Sequence, residues 1–231
     1  MLAKRRPKPV HAGSVLVVGL GRFGSAVAES LVRQHVEVLA VDEDALLVQR
    51  YADEFTLTVQ ADATDGEAMR QLGVPEIDSA VVAIGSDVEA SVLTVITLVE
   101  AGVTRIYAKA ITRKHGKILE NIGATHVIYP EYVMGQRVAH MVTGGVKDYL
   151  EFEDGFAMVR TYAPRETWDI SLAESAVRST YRVTVVGIKR SGEDFTYAVP
   201  ETVVHEGDEL VVSGTTEDVE RFSSLPSRRH R

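Results

Sequence analysis

The chain has 231 residues, room for one large domain or two modest ones, and its 45% hydrophobic and 25% charged residues argue against a disordered or fibrous protein. It contains no cysteine, which excludes disulfides, thiolate metal sites and cysteine nucleophiles and fits a reducing compartment. The net charge of −8 is uneven: Lys4, Arg5, Arg6 and Lys8 open the chain and Arg228, Arg229 and Arg231 close it, leaving 18 basic against 33 acidic residues between them, a balance of −15 that repels a phosphate backbone and sets nucleic acid aside as a partner. The basic opening stretch has no apolar run behind it and does not read as a secretory signal. The longest uncharged apolar run, between Glu89 and Glu100, holds ten residues against the roughly 20 a membrane span needs.

From residue 14 to 129 one unit repeats: a short β-branched run, a turn, then a helical pattern. The expected strands are Ser14–Val18, Glu37–Asp42, Thr56–Gln60, Ser79–Ile84, Arg105–Lys109 and His126–Tyr129. Between them, stretches such as Phe23–Gln34 and Val88–Ala101 carry apolar residues at three- and four-residue spacing. Near-continuous apolar strands such as Ala80 to Ile84 belong to a parallel sheet covered on both faces. The alternation predicts an α/β fold, a Rossmann-like doubly wound parallel sheet over 14–150, closed by a helix over about 131–149. From Ala157 the strands become short and alternating (Ala157–Tyr162, Val183–Lys189, Phe195–Val199, Glu209–Ser213), which predicts a small α+β domain over 151–222.

Gly19-Leu20-Gly21-Arg22-Phe23-Gly24 follows the first strand and opens the first helix. Gly19 permits the tight turn, Gly21 lets a pyrophosphate approach the backbone, and Gly24 lets helix and strand pack closely, with the free N–H groups of the helix start facing the anion. Asp42 ends the second strand 18 residues after Gly24, where a carboxylate accepts hydrogen bonds from ribose hydroxyls. Together these predict nucleotide binding. Arg22 is either a bidentate phosphate ligand or a solvated helix-start arginine. Asp62 and Ala63, and Ala83, Ile84 and Gly85, lie at carboxyl ends of strands, where open α/β sheets bind ligands; Asp62 is equally an N-cap for the next helix. Lys109 ends the fifth strand in an apolar context, so a carboxylate is expected beside it. None of the eight tyrosines is followed by lysine four positions on, and no H-E-x-x-H, Walker A or G-x-S-x-G run occurs. The histidines share no ligand spacing. A nucleotide fold without a reaction centre reads as a sensor rather than an enzyme; a small NAD-dependent oxidoreductase is the alternative.

The set Gly19 to Gly24, Asp42, Ala61-Asp62-Ala63-Thr64, Val82 to Gly85, Ala108-Lys109-Ala110, Ile122-Gly123-Ala124 and Tyr129-Pro130-Glu131 resembles the cytosolic regulatory subunits of Ktr/Trk-type potassium transporters, built from RCK N-terminal and C-terminal domains. In the second half Ser171-Leu172, Ala176-Val177-Arg178, Val185 to Ile188 and Glu206 to Leu210 extend the resemblance. It implies homodimers assembling into a ring, commonly an octamer, at the inner face of the membrane beneath a separate potassium-transporter pore subunit, with ATP, ADP or NAD(H) exchanged in the first domain. The implied nucleotide set is Gly19, Gly21, Arg22, Phe23, Gly24, Asp42, Asp62, Ala63, Ala83, Ile84, Gly85, Lys109 and Glu131. Within it, Arg22 reaches terminal phosphates, Asp42 holds the ribose, and Ile84 and Gly85 line the adenine side. Glu131 is implied to help hold a divalent cation, Mg or Ca; as a bare residue it is also a helix-start acid favoured by the dipole. The second domain is similar to a cyclic di-AMP site, with Arg178 as phosphate partner beside Leu172 and Val177. Ala173 and Ala176 depart from the pattern, which has a bulkier aliphatic and a polar residue there.

Overall fold

The computed structural model describes residues 13–143 and 145–227; the basic tails lie outside them. Contacts divide the chain into two units, 1–131 and 132–231. The first contains β1 (Val15–Val18), α1 (Arg22–Arg33), β2 (Val38–Asp42), α2 (Ala45–Arg50), β3 (Leu57–Gln60), α3 (Gly66–Gln71), β4 (Ser79–Val82), α4 (Val88–Glu100), β5 (Arg105–Lys109), α5 (Arg113–Asn121) and β6 (His126–Ile128), and the start of α6 (Pro130–Thr143). The six strands are parallel, in the order β3-β2-β1-β4-β5-β6. Strand order reverses on either side of β1, so a crevice forms beyond the carboxyl ends of β1 and β4.

Alternate residues of each strand feed two cores. Leu16, Val18, Leu39, Val41, Val82, Ile106 and Ala108 pack with Met69, Val95, Leu98 and Leu119, hence against α3, α4 and α5. Val17, Val38, Ala40 and Val81 pack with Ala28 and Phe55, and with Val27 and Leu31 of α1. Each fully buried aliphatic side chain stabilises the fold by about 1.5–3 kcal/mol, which is what fixes the register of these short strands. Toward the edge strand the α1 side carries Tyr107 stacked on His126, with ring centres 4.5 Å apart. Side-chain oxygens satisfy the first N–H groups of several helices: Asp44 caps α2, Asp65 caps α3, Asp87 caps α4 and Thr112 caps α5.

The second unit holds the remainder of α6, then β7 (Val146–Glu151), β8 (Phe156–Tyr162), β9 (Ile170–Ser171), α7 (Leu172–Ser175), α8 (Val177–Tyr181), β10 (Thr184–Lys189), β11 (Thr196–Tyr197), β12 (Val203–Val204), β13 (Glu209–Thr215) and α9 (Thr216–Ser223). A five-stranded antiparallel sheet runs β11-β10-β13-β8-β7, and β9 pairs with β12. Its core gathers Val146, Tyr149, Val159, Leu210, Val212, Val219 and Phe222.

Two expectations are corrected here. The helix expected over 131–149 ends at Thr143, and 146–151 is a strand paired with β8. Val142, Val146 and Tyr149 keep helical spacing, but Gly145 (φ +66°) takes a left-handed turn and β8 offers a ladder partner. The contacts divide the chain after Glu131, whereas the expected domain division lay at 150. The strand expected at Phe195–Val199 shrinks to Thr196–Tyr197.

Candidate functional site

The first turn after β1 is built around two glycines. Gly19 has φ +92°, a conformation costly for any residue with a side chain, and its N–H donates to the Val41 carbonyl at 2.8 Å. A Cβ at Gly24 would stand 1.8 Å from the Gly19 carbonyl oxygen and 2.9 Å from Cβ of Ala83, so α1 can lie this close only if Gly24 stays bare and Ala83 small. Gly21 is different. A Cβ there meets nothing within 4 Å, so the chain itself leaves open space over the loop.

Gly21 is the N-cap of α1 and supplies no side-chain oxygen to its N–H groups; the first turn holds no acid. The helix start thus presents uncapped donors and a partial positive charge. Arg22 stands exposed beside them, while Phe23 is half-buried against the α1 core.

Asp42 lies across from this loop. Its Oδ2 accepts the Leu20 N–H at 2.5 Å and its Oδ1 accepts the Asp44 N–H at 2.8 Å. Sequence reading missed Asp44's part; the Asp-x-Asp spacing is the signal for such an Asx turn. Asp62 does not cap α3, which Asp65 does. Asp62 Oδ1 instead accepts the hydroxyl (2.7 Å) and N–H (2.8 Å) of Thr64, which hold its carboxyl below the usual range. Ala63 is 7% exposed and turns its methyl into the core, leaving only backbone for a ligand.

On the other side of β1, the Ala83 N–H donates to the Val18 carbonyl at 2.7 Å, tying the loop after β4 to the glycine turn. Ile84 packs half-buried on the α4 side of the sheet. Gly85 makes room for Lys109: a Cβ there would lie 3.1 Å from both Cε and Nζ. The carboxylate expected beside Lys109 is Glu131, with Nζ 2.7 Å from Oε1, and the ammonium lies 5.8 Å from the centre of the Phe23 ring. That ion pair, assisted by Arg22, holds the Glu131 carboxyl below its ordinary range.

The donor set suits a nucleotide: backbone N–H groups, an arginine, and a carboxylate already aligned with the loop. Among the described residues no three or more His, Asp or Glu side chains gather to hold a metal. In the second unit Arg178 is exposed, but Val177 is 3% exposed and, with Leu172 packed beside it, belongs to the core. Of the expected trio, Arg178 is exposed, Leu172 is half-buried and Val177 is buried.

Comparison with known proteins gives a consistent outcome. The TrkA-N domain model matches residues 15–130 and the TrkA-C domain model residues 169–226. The chain is 37% identical over 207 residues to Ktr system potassium uptake protein C of Bacillus subtilis, covering 89% of this chain and 94% of that protein. It is 36% identical to Ktr system potassium uptake protein A of the same organism, covering 90% and 94%. Among solved structures, the GsuK RCK domain aligns with TM-score 0.68 and 18% identity, covering 97% of this chain and 50% of that one. The GsuK channel bound to NAD aligns with TM-score 0.67 and 17% identity, covering 98% and 42%. These two alignments establish the shared fold.

Proposed function

We propose a function for this chain from the premise that it belongs to the Ktr potassium uptake family, with a TrkA-N domain followed by a TrkA-C domain. It is a regulatory subunit of a potassium uptake system: it binds an adenine nucleotide in the first unit and sets the state of a separate membrane pore protein from the cytoplasmic side. No helix among the described residues is long and apolar enough to cross a membrane, which fits a peripheral partner. The observation that carries the reading is the Asp42 carboxylate fastened beside an uncapped glycine loop. Gly19, Gly21 and Gly24 shape the phosphate cradle, Arg22 contacts the terminal phosphates, and Asp42 accepts a ribose hydroxyl. Ile84 lines the adenine side, and Asp62, Ala63 and Ala83 complete the wall. ATP, ADP and NAD(H) all fit an acid at that strand end, because none carries a 2′-phosphate there.

Regulation is a shift of population. Ligands that favour different conformations unequally move the equilibrium between them, and the pore responds. The assembly is a ring of dimers, eight chains in all, as the resemblance implies. The exposed stripe of α6, with Val133, Met134, Val138, Met141 and Val142 each more than 40% exposed, supplies an apolar surface for a second copy. Glu131 would help hold Mg or Ca once a neighbouring chain and the phosphates add oxygens. Arg178 would meet a phosphate of cyclic di-AMP.

Calorimetry with ATP, ADP and NADH tests the core of this reading. At least one binds, and none is consumed. Hydride transfer or hydrolysis at about 1 per second or faster would make the chain an enzyme and overturn it.

A further inference from the structure

Lys109 closes β5, yet its side chain is only 13% exposed. Its stem crosses the space that Gly85 leaves and passes a methyl of Ile111 that lies 3.5 Å from the same point. The head ends over Phe23 of the glycine loop and on Glu131, the last residue of the first unit and an acid in the first turn of α6. Arg22 contributes a second positive charge to the same carboxylate. The Lys109–Glu131 pair thus sits beside Phe23, one residue after the exposed Arg22 at the uncapped start of α1.

A nucleotide's phosphate chain and the Glu131 carboxylate are rivals for one ammonium. The phosphates bring more charge and more acceptor oxygens to a partly desolvated cation, so they win the exchange when both are within reach. We propose that Lys109 is an exchange latch: without nucleotide it holds Glu131, and with a polyphosphate nucleotide in the glycine loop it turns to phosphate and releases Glu131. The inference rests on the nucleotide reading of that loop. Its consequence is directional. Releasing Glu131 unties the first turn of α6 from β5, and α6 is the segment by which the chain continues into the second unit. Ligand charge at β1 thereby becomes a change in the restraint on α6. Lys109 acts here as a positioning residue for Glu131 as well as a phosphate ligand.

The test is a double-mutant cycle in EDTA, which removes any cation from the balance. ATP is titrated calorimetrically into wild type, Lys109→Met, Glu131→Gln and the double variant; Lys109→Gln replaces Lys109→Met if that variant fails to fold. Amide hydrogen exchange over residues 132–138 is followed with and without ATP. Glu131→Gln should tighten ATP binding about tenfold in the wild-type background and no more than about threefold in Lys109→Met, the remainder being Arg22's share. ATP should speed exchange in the first turns of α6 in wild type, while Lys109→Met shows the faster rate already without ATP and gains nothing further. Equal effects of Glu131→Gln in both backgrounds, or exchange in α6 that ignores ATP while ATP binds, would overturn the latch and leave the nucleotide site standing. Wild type that binds neither ATP, ADP nor NADH overturns the site, and the latch with it.

Discussion

The carboxylate of Asp42 accepts the backbone N–H of Leu20 at 2.5 Å, so the residue expected to hold a ribose also holds the glycine loop. One side chain joins the end of β2 to the turn after β1, and its second oxygen takes the Asp44 N–H. Asp42→Ala should therefore weaken every ribose-bearing ligand and destabilise the fold by about 1–3 kcal/mol, since two backbone donors lose a charged acceptor. Calorimetry and urea unfolding measure the two effects separately. Loss of affinity with unchanged stability would mean that the loop stands without this bond.

Two glycines of one loop should behave differently. Gly24→Ala places a methyl 1.8 Å from a carbonyl oxygen and should destabilise by about 3 kcal/mol or prevent folding. Gly21→Ala meets nothing, and Gly21 has φ −62°, so its stability should change by less than about 0.5 kcal/mol. Nucleotide affinity should nevertheless fall in Gly21→Ala, because the methyl occupies the space left for a ligand. Chemical denaturation and calorimetry on both variants distinguish packing from binding.

Arg22→Ala should weaken ATP more than NADH, because an exposed guanidinium at the start of α1 gains most from a free terminal phosphate. An equal loss for both ligands would place Arg22 on the phosphates they share.

Acid should destabilise the first unit through His115. The ring is 3% exposed, its Nδ1 accepts the Ile111 N–H at 3.5 Å, and its Nε2 is buried without a partner, so burial holds its pKa below the ordinary 6.5. A base with a depressed folded pKa binds more protons when unfolded; its contribution is complete above about pH 6.5 and is lost as pH falls toward the folded value. His115→Gln should flatten the pH dependence of the unfolding midpoint below about pH 6.5. An unchanged slope in that variant would assign the acid sensitivity elsewhere.

Assembly should depend on α6. Met141→Glu puts a charge into its exposed apolar stripe, and if that stripe is covered by a second copy the charge is buried unpaired. Light scattering coupled to gel filtration should then show a smaller species that still binds nucleotide. A wild-type chain that runs as a monomer when saturated with nucleotide removes the ring.

The parallel sheet and the glycine loop were legible because their signals are local. A buried strand needs an unbroken apolar run, the turn after β1 needs Gly19 at φ +92°, and close packing needs Gly24, so each requirement writes itself into neighbouring residues. Family membership was legible for the same reason, since the motifs lie at fixed spacing. Partnership was not legible. That Lys109 reaches Glu131 and that Gly85 is bare to let it pass depend on which strand ends lie side by side, and that Val177 turns inward depends on α8 packing on the second core. The segment 146–151 shows the limit most plainly: its apolar residues satisfy a helix and a strand equally, and it is the antiparallel pairing with β8, the next strand along the chain, that makes it a strand. The sequence alone determined which residues must be small, apolar or charged, because those choices answer to immediate neighbours along the chain. Tertiary structure decided which charge meets which, because that depends on distances between elements far apart in sequence.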